Sequence, residues 1–317
     1  MTAAPPTDAS SAVGRRRRLA RLGGVNGVIS GIALDHRDSL RVLLARRGLA
    51  LETSELRAVK LALARTLAPR ATAIMLDEEL GQAALQAGVI PASVGLIMPL
   101  EAQGYEAAGD GRVATLLPDF GPSDALRYGA DACKLLVPYR ADDEHSAAQQ
   151  DELVRSTAAA CHEVGLPLVV EPVVYRWSTE SAATFGDVYT SLVVSATTRL
   201  QPLGVDLLKL PFPVLEGSSA GEVGAREACR AIAAACRGTP WVLLGAGVDM
   251  DTFVEQVRLA GSAGASGFLV GRGIWGLALA LDPREVERLA ATVSGPAFER
   301  CREAAEMTAR PLPAGGH

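Results

Sequence analysis

The sequence predicts a single (β/α)8 barrel, and three observations carry that expectation. Eight short apolar runs recur along the 317 residues, helix-length amphipathic segments separate them, and the runs are apolar continuously rather than alternately. A continuous run is what a parallel strand covered on both faces requires. Eight βα units in a chain of this length are accommodated by one barrel domain. An open doubly wound sheet usually has fewer strands and carries a glycine fingerprint after the first, whereas this first strand ends in "DHRD".

The runs are "VISGIALD" (28–35), "ATAIMLD" (71–77), "SVGLIMPL" (93–100), "ACKLLVPY" (132–139), "LPLVVEPVVY" (166–175), "VDLLKLPF" (205–212), "WVLLGAG" (241–247) and "GFLVGR" (267–272). Between them, "SELRAVKLALARTLA" places Leu56, Val59, Leu63 and Leu67 on one helical face, with Ser54 as the expected N-cap. "DMDTFVEQVRLAG" carries Asp249 or Asp251 as its cap. The turn-rich segment 101–124 is expected to make an excursion over the top of the barrel. Residues 1–14 are expected to be a disordered tail, 15–312 the barrel, and 313–317 a second tail.

Composition narrows the functional classes. Hydrophobic residues make up 49% and aromatic residues only 4%, so the core is expected to be built from Ala, Val and Leu. A net charge of -5 gives no general reason for nucleic acid or an anionic membrane as partner. Arg15–Arg18 ahead of an apolar stretch imitate a twin-arginine export signal. No small-residue cleavage site follows, however, and the stretch is needed as the first strand. No apolar segment approaches the ~20 residues that span a bilayer. Five scattered cysteines without a CxxC pair fit free thiols in a reducing cytoplasm.

In a barrel the chemistry sits at the C-terminal ends of the strands, and polar residues gather there. Asp35 and His36 close the first strand, Lys134 lies on the fourth, Glu171 on the fifth and Lys209 on the sixth. Gly245, Gly247, Gly271 and Arg272 lie in the turns closing the seventh and eighth. Two lysines and a glutamate inside one barrel need partners to offset desolvation. A purely structural Lys–Glu–Lys network is one reading; an amine held near a second cation in a dry pocket, its pKa lowered for attack on a ketone, is the other. The glycine turns and Arg272 suit a phosphate group, although turn glycines also serve backbone geometry alone. The four histidines show no HxxH or HxxxH spacing and no GxSxG elbow is present, so neither a metal nor a serine triad is expected. Of the four, only His36 is placed for function.

With these residues identified, the chain resembles the class I aldolases that include tagatose 1,6-bisphosphate aldolase and sulfofructosephosphate aldolase. The similarity spans about 28–290 and is carried by "ALDHRDSL", "ADACKLLVPYRADDE", "VVEPVV", "VDLLKLPFP", "WVLLGAGVD" and "GASGFLVGRGIW". The resemblance implies that Lys209 forms the Schiff base, that Asp35, Lys134 and Glu171 line the reacting centre, and that Gly245, Gly271 and Arg272 hold a C1 phosphate. It further implies metal-independent cleavage of a ketose 1-phosphate, of the tagatose 1,6-bisphosphate or 6-deoxy-6-sulfofructose 1-phosphate type, to dihydroxyacetone phosphate and an aldehyde, and a homo-oligomer. Three departures stand out: His36 where the family usually has Gln, Gly245 where it often has Ser, and Leu210-Pro211 where Val-Glu usually follows the lysine. A non-catalytic phosphosugar-binding barrel and a deoxyribose-phosphate-type aldolase are the alternatives. Arg37, Arg140 and Arg176 are equally placed as anion partners for the far end of the substrate.

Overall fold

The computed structural model describes residues 9–313 apart from 47, 50, 109, 110 and 219. All eight expected strands form, alongside a two-stranded hairpin. They are β1 (Ile29–Leu34), β2 (Ala73–Leu76), β3 (Gly95–Pro99), β4 (Glu106–Ala108), β5 (Gly111–Val113), β6 (Ala132–Tyr139), β7 (Leu168–Val174), β8 (Leu207–Leu210), β9 (Trp241–Leu244) and β10 (Gly267–Val270). Eight of them close into a barrel in the order β1-β10-β9-β8-β7-β6-β3-β2, every pairing parallel. The antiparallel β4–β5 hairpin is the excursion expected over 101–124.

Strand alternation sorts the apolar residues into two layers. One set, including Ile29, Ala73, Ile97, Ala132, Val169, Leu207, Val242 and Leu269, fills the barrel interior. Their neighbours, such as Ile32, Cys133, Val170, Leu208 and Leu243, face the surrounding helices. The seam between β1 and β10 needs Gly267, whose φ is +128°; an added Cβ would stand 1.9 Å from the Ile29 carbonyl oxygen.

The lower mouth is closed by the helix Ala9–Arg21, which delivers the fully buried Leu22 against Gly95. Part of the arginine cluster is absorbed there, while Arg16 and Arg17 are exposed. Arg15 lies 3.8 Å from Asp206, Arg21 lies 3.3 Å from Asp131, and Arg18 donates to the Ala130 carbonyl. Residues 9–14, expected in the tail, are thus the start of this helix; Ser11 is tied to the His162 carbonyl. Residues 1–8 and 314–317 lie outside the described residues, and with them His317.

The helix Thr53–Leu67 buries Leu56, Val59, Leu63 and Leu67 as expected, but Glu52 occupies the cap position in place of Ser54. Its backbone N–H is taken by the Glu55 carboxylate at 2.7 Å, so the cap lies two residues earlier. Asp249 caps the helix Met250–Ser262, accepting from the Asp251 and Thr252 N–H groups. All five cysteines are buried and free. Among the described residues no helix is long and apolar enough to cross a membrane.

Candidate active site

The strand period of two builds the site. Ala132 on β6, Val169 on β7 and Leu207 on β8 belong to the interior layer, so Lys134, Glu171 and Lys209, two residues further on, point into the barrel one level higher. Ala33 on β1 places Asp35 in the same way. These four line the wall of a cavity of about 430 Å³ that opens at the C-terminal ends of the strands. Its size falls in the range of small-molecule sites.

Lys209 is only 5% exposed, and its Nζ donates to Glu171 Oε2 at 2.9 Å. Lys134, also buried, lies 3.4 Å from that same oxygen and 3.0 Å from Asp35 Oδ2. Its remaining partner is Glu101 Oε1, and the other Glu101 oxygen accepts the Leu136 N–H at 3.2 Å. Three carboxyl groups therefore surround two amines, and Glu171 is shared between the amines.

Burial opposes ionisation of Asp35, but the Lys134 ammonium, with Lys209 behind it, holds the carboxyl well below the usual range. Burial at Glu171 is likewise outweighed by Lys209 and Lys134, and its pKa is lowered. At Glu101 burial prevails over Lys134 and pushes the carboxyl up. For Lys134 the desolvation is overcome by Asp35, Glu101 and Glu171, so its ammonium form is strongly favoured.

His36 packs edge-on against Trp275, with ring centroids 5.1 Å apart, and its Nδ1 lies 3.6 Å from Asp35 Oδ1. Burial, joined by Lys209 and Arg272, pushes its pKa down to about 4, so the ring is neutral near pH 7. Gly271 makes this placement possible, because a Cβ there would stand 2.8 Å from His36 Cε1.

Gly245, Gly271 and Arg272 line the cavity on the side opposite Glu101, and the Arg272 guanidinium has no hydrogen-bond or ion-pair partner among the described residues. Gly247 sits instead in an adjoining open depression with Asp249 and Gly273, which Arg272 also borders. Because the Asp249 carboxylate takes two N–H groups at the start of the helix Met250–Ser262, that helix end is already occupied. An anion is left with Arg272 and the glycine-turn backbone.

Sequence reasoning missed Glu101, Gln103, Ser39 and Tyr189, all of which line the cavity. An acid directly after the apolar "IMPL" was the available signal for Glu101, since it is the end residue of a barrel strand. Tyr189 comes from the outer helix Ala182–Leu200 and gave none. Leu210 is fully buried among the helices, whereas Pro211 faces the cavity. His145 is exposed and His162 pairs with Asp206, both away from the site. Among the described residues no group of His, Cys, Asp and Glu is arranged to hold a metal ion.

Comparison with known proteins identifies the family. A tagatose 1,6-diphosphate aldolase of Streptococcus mutans serotype c is 32% identical over 273 residues, covering 81% of this chain and 82% of that protein. The fold is shared with fructose-bisphosphate aldolase from Plasmodium falciparum, at a TM-score of 0.72 and 14% identity over 98% of this chain and 99% of the other. It is also shared with a Schiff-base-forming fructose-1,6-bisphosphate aldolase, at a TM-score of 0.56 and 16% identity over 89% and 99%. Residues 29–276 match the family described as DeoC/LacD family aldolase. With that match over most of its length, and a charged cavity at the C-terminal end of an eight-stranded barrel, the chain belongs to the DeoC/LacD aldolase family and is a lyase.

Proposed function

We propose that the protein is a class I aldolase that reversibly cleaves a ketose 1-phosphate to dihydroxyacetone phosphate and an aldehyde, with Lys209 as the Schiff-base lysine. The observation that carries this is the buried Lys209 amine, 2.9 Å from Glu171 on the wall of the cavity, with unpaired Arg272 lining the same cavity.

Glu171 takes a proton from Lys209, and the free amine attacks the C2 ketone. The protonated Glu171 returns that proton to the carbinolamine hydroxyl, which leaves as water, and the iminium forms. Glu171, or Asp35 in its place, then removes the C4 hydroxyl proton. The C3–C4 bond breaks, its electron pair enters the enamine, and the aldehyde departs. Protonation at C3 and hydrolysis release dihydroxyacetone phosphate and restore the amine. Lys134 stabilises developing oxyanions, while Arg272 with the Gly245 and Gly271 turns holds the C1 phosphate and neutral His36 lies beside it. The imine is formed by the chain itself, so no metal or other cofactor enters these steps. The buried free cysteines support a cytoplasmic setting, and we assign the protein as a homo-oligomer on the family resemblance.

The test is borohydride reduction in the presence of dihydroxyacetone phosphate, followed by peptide mass mapping. The expected adduct is on Lys209 and is lost in Lys209→Ala together with cleavage. An adduct on another residue, or full activity of that variant, refutes the assignment. Binding without any adduct or turnover would favour a non-catalytic phosphosugar-binding barrel, and acetaldehyde as donor product would favour deoxyribose-phosphate chemistry.

A further inference from the structure

The aldehyde half of the substrate is recognised at the end of the cavity away from Arg272, and its lining is specific enough to name a chemical class. We propose that this half is uncharged: the enzyme takes a ketose 1-phosphate whose cleavage yields a neutral hydroxyaldehyde, in preference to a phosphorylated or sulfonated one. The inference rests on the reading above, in which Lys209 binds C2 and Arg272 the C1 phosphate.

With those two points fixed at β8 and at the turns after β9 and β10, the chain beyond C3 runs on toward β7, β6 and β3. The cavity-lining side chains on and after those strands include Glu101, Gln103, Leu136, Val173 and Tyr189. They offer a hydroxyl, an amide and apolar surface, with the carboxyls of Asp35 and Glu101 at its border. Among the described residues the cavity-lining cations are Lys134, Lys209 and Arg272 alone. Lys134 and Lys209 are held by Asp35, Glu101 and Glu171 at the reacting centre.

The arginines near the rim have been turned to other tasks. Arg37 is 4% exposed and donates to Glu78 at 2.8 Å and to the Glu101 carbonyl at 2.7 Å. Arg41 is taken by Glu79 at 2.6 Å. Arg140, 2% exposed, is clamped by Asp142 at 2.7 Å and Glu180 at 2.9 Å and stacks on Trp177. Recruiting Arg37 or Arg140 to a ligand would break a buried ion pair, which is strongly unfavourable. Arg112, in the β4–β5 hairpin, is stacked between Tyr105 and Tyr175, and Arg176 donates to the Glu180 carbonyl; neither lines the cavity. A second anion in this end would therefore face Asp35 and Glu101, and the one cation beside them, Lys134, is already shared by three carboxyl groups, so the site discriminates by repulsion as well as by fit.

The experiment runs the reaction in the aldol direction at saturating dihydroxyacetone phosphate, comparing glyceraldehyde, glyceraldehyde 3-phosphate and 3-sulfolactaldehyde as acceptors by kcat/KM. Glyceraldehyde is expected to be preferred at least tenfold over both anions. A preference for either anion, or a ratio of three or less, overturns the proposal. Val173→Arg, which sets a cation on the partly exposed rim of β7, is expected to narrow the ratio at least tenfold; an unmoved ratio shows that the aldehyde lies elsewhere and also overturns it. Borohydride trapping on Lys209 needs no aldehyde, so an aldolase with the wrong acceptor preference is distinguished from a protein that forms no imine.

Discussion

Replacing Lys134 with methionine removes the ammonium around which three carboxyl groups are arranged, while keeping nearly the same volume. The structure sets the scale of the effect. Lys134 is 3% exposed and lies 3.0 Å from Asp35 and 3.4 Å from Glu171, besides its contact with Glu101. At an effective dielectric of about 20, a single pair at such a distance is worth about 5 kcal/mol of Coulomb energy, opposed by desolvation. Truncating one partner of a buried pair typically destabilises by about 3–5 kcal/mol, and that is the loss expected for Lys134→Met at pH 7.5.

The pH dependence identifies the cause. In the wild type Asp35 and Glu171 have lowered pKa values, so their contribution is present above the unfolded-state values and is lost as pH falls through the folded ones. Without Lys134, burial prevails at Asp35 as well and raises its pKa above that of the unfolded chain, and the already raised Glu101 pKa goes higher still. The folded variant then binds the extra protons, and its stability rises as pH falls toward 5. Urea unfolding of both proteins at pH 7.5 and pH 5 should show the gap closing by about 1–2 kcal/mol. A gap below about 1 kcal/mol at pH 7.5, or one that does not change with pH, would refute the account of the cluster.

Three further outcomes follow from the structure. Gly267→Ala drives a Cβ into the Ile29 carbonyl at a φ closed to alanine, and should cost more than about 4 kcal/mol; a melting temperature near that of the wild type would contradict the β1–β10 seam. His36 has a folded pKa of about 4 against an ordinary 6.5, so the unfolded chain binds the proton first and stability rises with pH between those values. The gain is at most about 3 kcal/mol, tempered because 22% of the side chain is exposed; His36→Gln should flatten that limb in a urea titration, and an unchanged slope would show His36 titrating normally. Arg272→Ala should raise KM for the ketose phosphate by roughly 10–100-fold with little change in kcat, the signature of lost uniform binding; equal KM values would remove Arg272 from the phosphate site.

The barrel was legible because its strands are apolar without interruption, and the few interruptions are the site. Lys134, Glu171 and Lys209 stood out as charges inside runs such as "ACKLLVPY", and the structure brings all three to one cavity. Glu101 was obscured because it begins a turn-rich segment whose polarity reads as solvent-facing, which masked its position at the end of a barrel strand; its contact with Lys134 fixes its place. Ser54 was the expected cap because serine caps helices well; the Glu55 carboxylate reaching back to the Glu52 N–H decided otherwise. Tyr189 and the pairing of Arg37 with Glu78 depend on how helices and loops fold back over the barrel top, which strand periodicity does not encode.

The seam that closes the barrel joins its first strand to its last, Ile29 opposite Gly267. During synthesis β1 can pair with β2 early, but its other edge must wait until roughly 240 residues have followed, on the order of 10–50 s at ordinary translation rates. Throughout that interval the growing sheet has open edges, each a template for pairing with another chain. Substitutions along β10 therefore bear on the yield of folded protein as well as on its final stability, since they act on the one contact that ends the exposure.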